Sequence, residues 1–171
     1  MVFVDFLRTA VLVCAAAATA LATIAVAAAN SAGNPNAVLI VAGWWGISTI
    51  IGLRLGRRAE ASPPIARLLS ESRAQAALPE LRPARVLLNR LWPLLLFTLG
   101  AAVLGLVLVQ IPGIAAGFAI IGALTWRRQP GAVLAIEHRD GVRFFVARTS
   151  PVKPISLIRA PGFKAYLPHA A

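Results

Sequence analysis

The sequence predicts an all-α integral membrane protein of four transmembrane helices, arranged as two hairpins with both termini cytoplasmic. A helical cytoplasmic loop and a small C-terminal β-hairpin tail complete it. Three observations carry this expectation. Residues 91–126 are thirty-six positions without Asp, Glu, Lys, Arg or His, bounded by Arg82, Arg85 and Arg90 before and by Arg127 and Arg128 after. Hydrophobic residues make up 58% of the chain and charged ones 13%, about half the charged share usual in soluble domains. Finally, all 17 basic residues fall in three segments: Arg8, the 54–90 loop, and the tail after Trp126.

The first hairpin occupies residues 1–58. Its opening span, about 8–29, is an Ala-rich run free of charge between Arg8 and Arg54. A signal peptide is the rival reading, but Asp5 beside Arg8 leaves the leading segment without net positive charge, and the run exceeds the ~7–15 residues of a signal h-region. Cys14 follows Val13 in mid-run and reads as a small buried apolar residue. Asn30 to Asn36 form a polar, uncharged turn, and a second span covers about 37–55. Trp44 and Trp45 lie roughly 12 Å beyond that turn along the helix, where they pack, meet lipid or cap a crevice opening at the turn end.

Residues 59–90 are too long for a plain connector. Ser62-Pro63 supplies a helix start, after which Ile65, Leu68, Leu69, Ser72 and Ala76 share one face. A second stretch from Pro83 sets Leu87, Leu88 and Leu91 against Arg82, Arg85 and Asn89. Both read as amphipathic helices lying on the membrane surface, the second turning into the bilayer at Pro93.

The second hairpin, 91–126, contains spans at about 91–110 and 112–126 joined by Gln110-Ile111-Pro112-Gly113, a turn signal with a helix-starting Pro. The first arm matches a hydrocarbon core of about 30 Å. The second is short, so thinning of the bilayer, snorkelling of Arg127 and Arg128, or a re-entrant path has to absorb the difference. Small residues recur at four-residue spacing at Gly113/Gly117, Ala101/Gly105 and Gly52/Gly56, which suits close approach of helices within the bundle or between copies.

The tail, 127–171, is basic. Runs at 133–138 and 142–148 flank Arg139-Asp140-Gly141 and predict a β-hairpin over 132–148, with Gly141 left-handed in a three-residue loop. That register pairs Leu134 with Val146, Ile136 with Phe144 and Glu137 with Arg143. Residues 155–159 are a candidate third strand.

Orientation follows from retention of Lys and Arg on the cytoplasmic side. The basic excess is then a topology device that also attracts anionic lipid, rather than a nucleic-acid footprint. No catalytic, cofactor-binding or metal-ligating set emerges. His138-Arg139-Asp140 spells a kinase loop, but Phe145 stands where its Asn belongs. His138 and His169 have no further ligands at metal spacing. The proline-spaced stretch 148–154 reads as a stiff connector.

The spans lack the carboxylates, His, Lys and Arg from which proton relays and ion pathways are built. The functional expectation is a non-catalytic accessory or scaffold protein whose basic cytoplasmic face binds anionic lipid headgroups or a partner protein. Arg67, Arg73, Arg82, Arg85, Arg90, Arg127 and Arg128 are the candidate contacts. A subunit of an oligomeric channel or transporter is the first alternative. A membrane enzyme acting on a lipid or phosphorylated substrate is the second. Fifteen Arg against two Lys, with abundant Ala, point to a GC-rich genome and hence a bacterial inner membrane.

The orientation is testable by thiol labelling. In a Cys14→Ala background, Ser31→Cys and Asn34→Cys are expected to react with an impermeant reagent added to intact cells. Ser72→Cys and Ser150→Cys are expected to react only after permeabilisation. Labelling at position 150 in intact cells overturns the orientation.

Overall fold

The structure, a computed structural model, describes residues 1–57, 60–74, 83–108, 110–147 and 155–161. Helix α1 spans Phe3–Ser31. Its 29 residues amount to about 43 Å, well beyond a hydrocarbon core. The surplus lies at the start, where Phe3, Val4, Phe6 and Leu7 are all buried. Gly33 takes φ +63° in the turn that follows, a left-handed position that suits glycine. Asn34 then caps α2 (Pro35–Leu55), its Oδ1 accepting the Ala37 N–H at 3.2 Å. Beyond the loop come α3 (Pro63–Ser70) and the two-residue β1 (Arg73–Ala74). Next are α4 (Pro83–Leu104) and α5 (Gln110–Trp126). Last come α6 (Gln129–Asp140), β2 (Val142–Val146) and β3 (Leu157–Pro161).

Three helices, α1, α2 and α4, are long and apolar enough to cross a membrane. Their outward faces carry exposed Leu12, Leu39, Ile40, Leu96, Phe97 and Leu99. Helix α5 has only 17 residues, about 25 Å, yet it is the centre of the bundle, packed against α1, α2 and α4. Two of its faces are made of small residues. Ala115, Ala116 and Ala119 meet Ala17, Ala18 and Leu21 of α1. Gly113 and Gly117 face α2. A Cβ on Gly113 would lie 2.8 Å from Val41, and one on Gly117 would overlap the Trp44 indole and sit 2.7 Å from Ser48 Oγ.

At the opposite end of the same interface the roles reverse. Gly52 and Gly56 of α2 lie against Ile121 and Leu124 of α5, and a Cβ on Gly56 would strike the Leu124 carbonyl. The spacings at 52/56 and 113/117 thus serve one interface within the chain. Trp44 Nε1 donates to the Ile114 carbonyl at 3.1 Å, and Trp45 Nε1 to the Gly113 carbonyl at 2.9 Å. These bonds give the half-buried indoles partners and pin α2 to the first turn of α5.

At the arginine-bearing end, separate stretches close around one core. Phe3, Phe6 and Leu7 of α1 meet Ile65 and Leu69 of α3, Val86 of α4, Val133 of α6, Val142, Phe144 and Val146 of β2, and Leu157 of β3. The strands form a sheet of order β1-β3-β2. Strand β3 runs parallel to β1, with Arg73 opposite Ile158, and antiparallel to β2, with Phe144 opposite Arg159 and Val146 opposite Leu157. The other edge of β2 takes up the chain's first residues: Val2 bridges Phe145, and Val146 N–H donates to the Met1 carbonyl at 3.1 Å.

Several expectations are corrected. The chain is mostly helical, as the all-α class expects, but its strands form a three-stranded mixed sheet rather than a lone hairpin. The hairpin over 132–148 does not form, because residues 129–140 are helix α6 and β2 pairs with 157–161 instead. Gly141 is left-handed, φ 64°, but as the cap that ends α6. In the loop, α3 buries Ile65 and Leu69 in the cap core rather than offering them to a membrane. Val86, Leu87 and Leu91 join that core while Leu88 stays exposed.

Helix α4 also runs unbroken through Pro93 and stops at Leu104, short of Gln110. One missing N–H is tolerated inside an apolar helix held by neighbours. The turn comes at Gly105, where a Cβ would strike Pro112.

The tight α2–α5 contact makes a measurable prediction. Gly117→Ala and Gly56→Ala are each expected to lower stability by about 1–3 kcal/mol through overpacking. Gly46→Ala, with nothing within 4 Å, is expected to be neutral or slightly stabilising. Unfolding of the purified protein in detergent, by heat or by added SDS, checks the contrast.

Candidate functional site at the arginine-bearing end

Arginines gather where the helices leave the bundle. Arg54 lies in the last turn of α2 and Arg57 just beyond it. Arg127 and Arg128 fill the two-residue link between α5 and α6, and both are exposed. One hydrogen bond ties these exits together: Arg128 Nη1 donates to the Arg57 carbonyl at 2.9 Å. The next residue, Gln129, is buried, and its Oε1 accepts the Ser62 N–H at 2.9 Å. The starts of α3 and α6 are therefore held side by side, which places the apolar faces of both helices over the same core.

The seven arginines singled out by sequence are distributed unevenly. Arg90 is half-buried on α4. Arg67 is exposed on α3 and bound to Glu71 four residues on, Nε to Oε1 at 2.7 Å. Such an exposed pair contributes little stability, but it occupies the guanidinium locally. Arg73 lies in β1 and Arg85 in the first turn of α4. Arg82 lies outside the described residues. Arg127 and Arg128 are the two that the fold brings to the bundle boundary together with Arg57. Trp126, partly exposed, ends α5 beside them.

A second polar feature escaped sequence reasoning. Glu137 is buried on α6, and its Oε1 accepts the Phe144 N–H at 2.9 Å. The geometry explains the need. Within a strand, N–H groups two residues apart point to the same edge. Val146 N–H meets Met1 there, but at Phe144 the incoming chain has already turned into α1. The Glu137 carboxylate supplies the missing acceptor.

Burial pushes the Glu137 carboxyl above the usual carboxylate range. The Phe144 N–H, the Arg143 guanidinium and the His138 side chain pull it back, and Asp5 pushes it up slightly. The proximity of Glu137 and Arg143, expected across a hairpin, thus arises from a helix capped by Gly141 and followed directly by a strand.

Among the described residues no group of three or more His, Cys, Asp or Glu side chains is placed to hold a metal ion. What the end offers chemically is cationic surface above a filled apolar core, with hydrogen-bonding guanidinium groups at the helix exits.

Substitution at Glu137 separates its two roles. Glu137→Gln keeps an acceptor and is expected to retain slow amide exchange at Phe144. Glu137→Ala leaves that N–H unpaired, at a cost of about 1–3 kcal/mol, and is expected to speed its exchange. Because the folded-state pKa is raised, the native form binds the proton more tightly than the unfolded chain. Stability contributed by this group therefore falls as pH rises from the ordinary carboxylate value through the raised one. Glu137→Gln is expected to flatten the pH dependence of unfolding in that window.

The chain matches no protein-family description, no curated protein and no solved structure.

Proposed function

We propose that the chain is a non-catalytic, multi-pass accessory protein of the plasma or bacterial inner membrane. Its cytoplasmic arginine-bearing end holds anionic lipid headgroups and presents the folded cap next to them. The observation that carries this reading is the pairing of the helix exits, with Arg57 and Arg128 joined directly above the cap core. Guanidinium groups at that level meet the phosphate and glycerol layer, where each basic side chain favours an anionic surface by about 1 kcal/mol. The cap core is filled by side chains from six elements. Among the described residues, this end offers a ligand its cationic surface at Arg54, Arg57, Arg127 and Arg128.

The same core supports counting α5 as a fourth crossing. The elements on either side of the α4–α5 pair, α3 before it and α6 after it, contribute to one cluster. If α4 crosses the bilayer, α5 has to return. At about 25 Å it does so with local thinning and with Arg127 and Arg128 reaching to the headgroups. Confinement of all 17 basic residues to three stretches of the sequence, Arg8, 54–90 and the tail after Trp126, supports the cytoplasm as the side of this end.

The test uses Arg54 and Arg127, whose side chains make no hydrogen bond or ion pair among the described residues. In nanodiscs containing phosphatidylglycerol and phosphatidylcholine, native mass spectrometry of the whole protein is expected to show selective retention of phosphatidylglycerol. Arg54→Gln with Arg127→Gln is expected to reduce that preference by roughly thirtyfold, two basic groups at about 1 kcal/mol each. Added salt is expected to weaken it as well. Equal retention of the two lipids by the unaltered protein overturns the reading.

A further inference from the structure

The far end of the bundle holds a crevice of about 370 Å³ between the end of α1 and the first turns of α2 and α5. That volume lies within the ~300–1,000 Å³ of small-molecule sites. Its lining is mostly apolar, Val38 and Ile114 among others, and Trp44 forms one wall. Trp44 is held firmly. Its N–H is spent on the Ile114 carbonyl, Phe118 meets its ring edge-on with centroids 5.6 Å apart, and Gly117 leaves the space it fills. The indole therefore presents hydrocarbon to the crevice rather than a donor.

The polar groups of the crevice are three carboxamides, Asn34, Asn36 and Gln110. The Asn34 carbonyl is engaged by the Ala37 N–H, leaving its NH₂ as a donor. Asn36 and Gln110 make no hydrogen bond among the described residues and keep both donor and acceptor. The sequence places no charged residue between Arg8 and Arg54 or between Arg90 and Arg127. The crevice has no cation for a phosphate and no carboxylate for an ammonium group.

We propose that this crevice binds an uncharged, hydroxyl-bearing amphiphile of the acylglycerol type. Its hydroxyls would exchange hydrogen bonds with the three carboxamides, and the upper part of its acyl chain would lie along Val38, Ile114 and the Trp44 ring. The chemistry excludes charged headgroups by desolvation: an ion drawn into this setting would lose water and gain no counter-charge. This inference does not depend on the arginine-bearing end or on which side of the membrane the crevice faces.

The probe is a monoacylglycerol brominated on its acyl chain, added to the purified full-length protein in nanodiscs, with Trp fluorescence as readout. Quenching is expected to saturate and to be reversed by the unbrominated lipid. It is expected to persist in a Trp45→Phe/Trp92→Phe/Trp126→Phe protein that keeps only Trp44. Asn36→Leu with Gln110→Leu is expected to weaken binding about tenfold, and Val38→Trp to block it. Brominated phosphatidylglycerol is expected to quench only in proportion to its bulk content. Quenching by the monoacylglycerol that never saturates overturns the proposal, as does equal saturable binding of phosphatidylglycerol. Unchanged binding of the probe by the folded variants does the same. Should the variants fail to fold, the saturation and headgroup ranking of the unaltered protein decide alone.

Discussion

The bundle rests on how closely α2 and α5 approach. In an apolar solvent, burying apolar surface gives little drive for helices to associate, so contact depends on dispersion between surfaces that fit. Helix α5 meets this by being nearly featureless on two sides, with alanines toward α1 and glycines toward α2. The two indole N–H bonds to Gly113 and Ile114 fix the register. From that register the far ends follow. Arg57 falls beside Arg128, Ser62 beside Gln129, and α3 and α6 begin as neighbours. The cap is therefore assembled on positions set by a helix contact some distance away.

Much of this was legible in the sequence, for a reason that also marks where reading fails. The apolar stretches are signalled by the absence of charge, which needs no knowledge of partners. Helix α5 falls inside such a run, as does most of α1, α2 and α4, although α1 begins before Asp5 and α4 before Arg85. Boundaries within a run carry no such mark. Residues 91–126 are uniformly apolar, so the stop at Leu104 and the turn at Gly105 were placed at Gln110 instead. Gly105 turns the chain there because Pro112 packs where its side chain would be, a contact between residues that local pattern cannot pair.

The misreading of 129–140 has a different origin. Four of its buried positions, Gln129, Ala132, Val133 and Glu137, follow a helical period, and Pro130 and Gly141 mark its start and stop. Two of the four are polar, so a hydrophobic pattern could not register them, and Val133 to His138 passed for a strand. The same blindness hid the site features. Gln129 and Glu137 are buried because each satisfies a backbone N–H in another element, and such partners exist only once the chain has folded. The arginines were visible individually. The bond that gathers Arg128 onto Arg57 was not.

The seam between Met1–Val2 and β2 carries a consequence in time rather than in space. Met1 and Val2 pair with residues made more than 140 positions later, contacts of the kind that close slowly. Until β2 emerges, Phe3, Phe6 and Leu7 have no partner strand to cover them. In an orientation that keeps the tip on the ribosome's side, they wait as a short apolar tip ahead of a span. Maturation would then end in a late, cooperative zipping of the cap, well after the helices are in place. A ribosome stalled before Val142 would carry a bundle already formed and a cap still open.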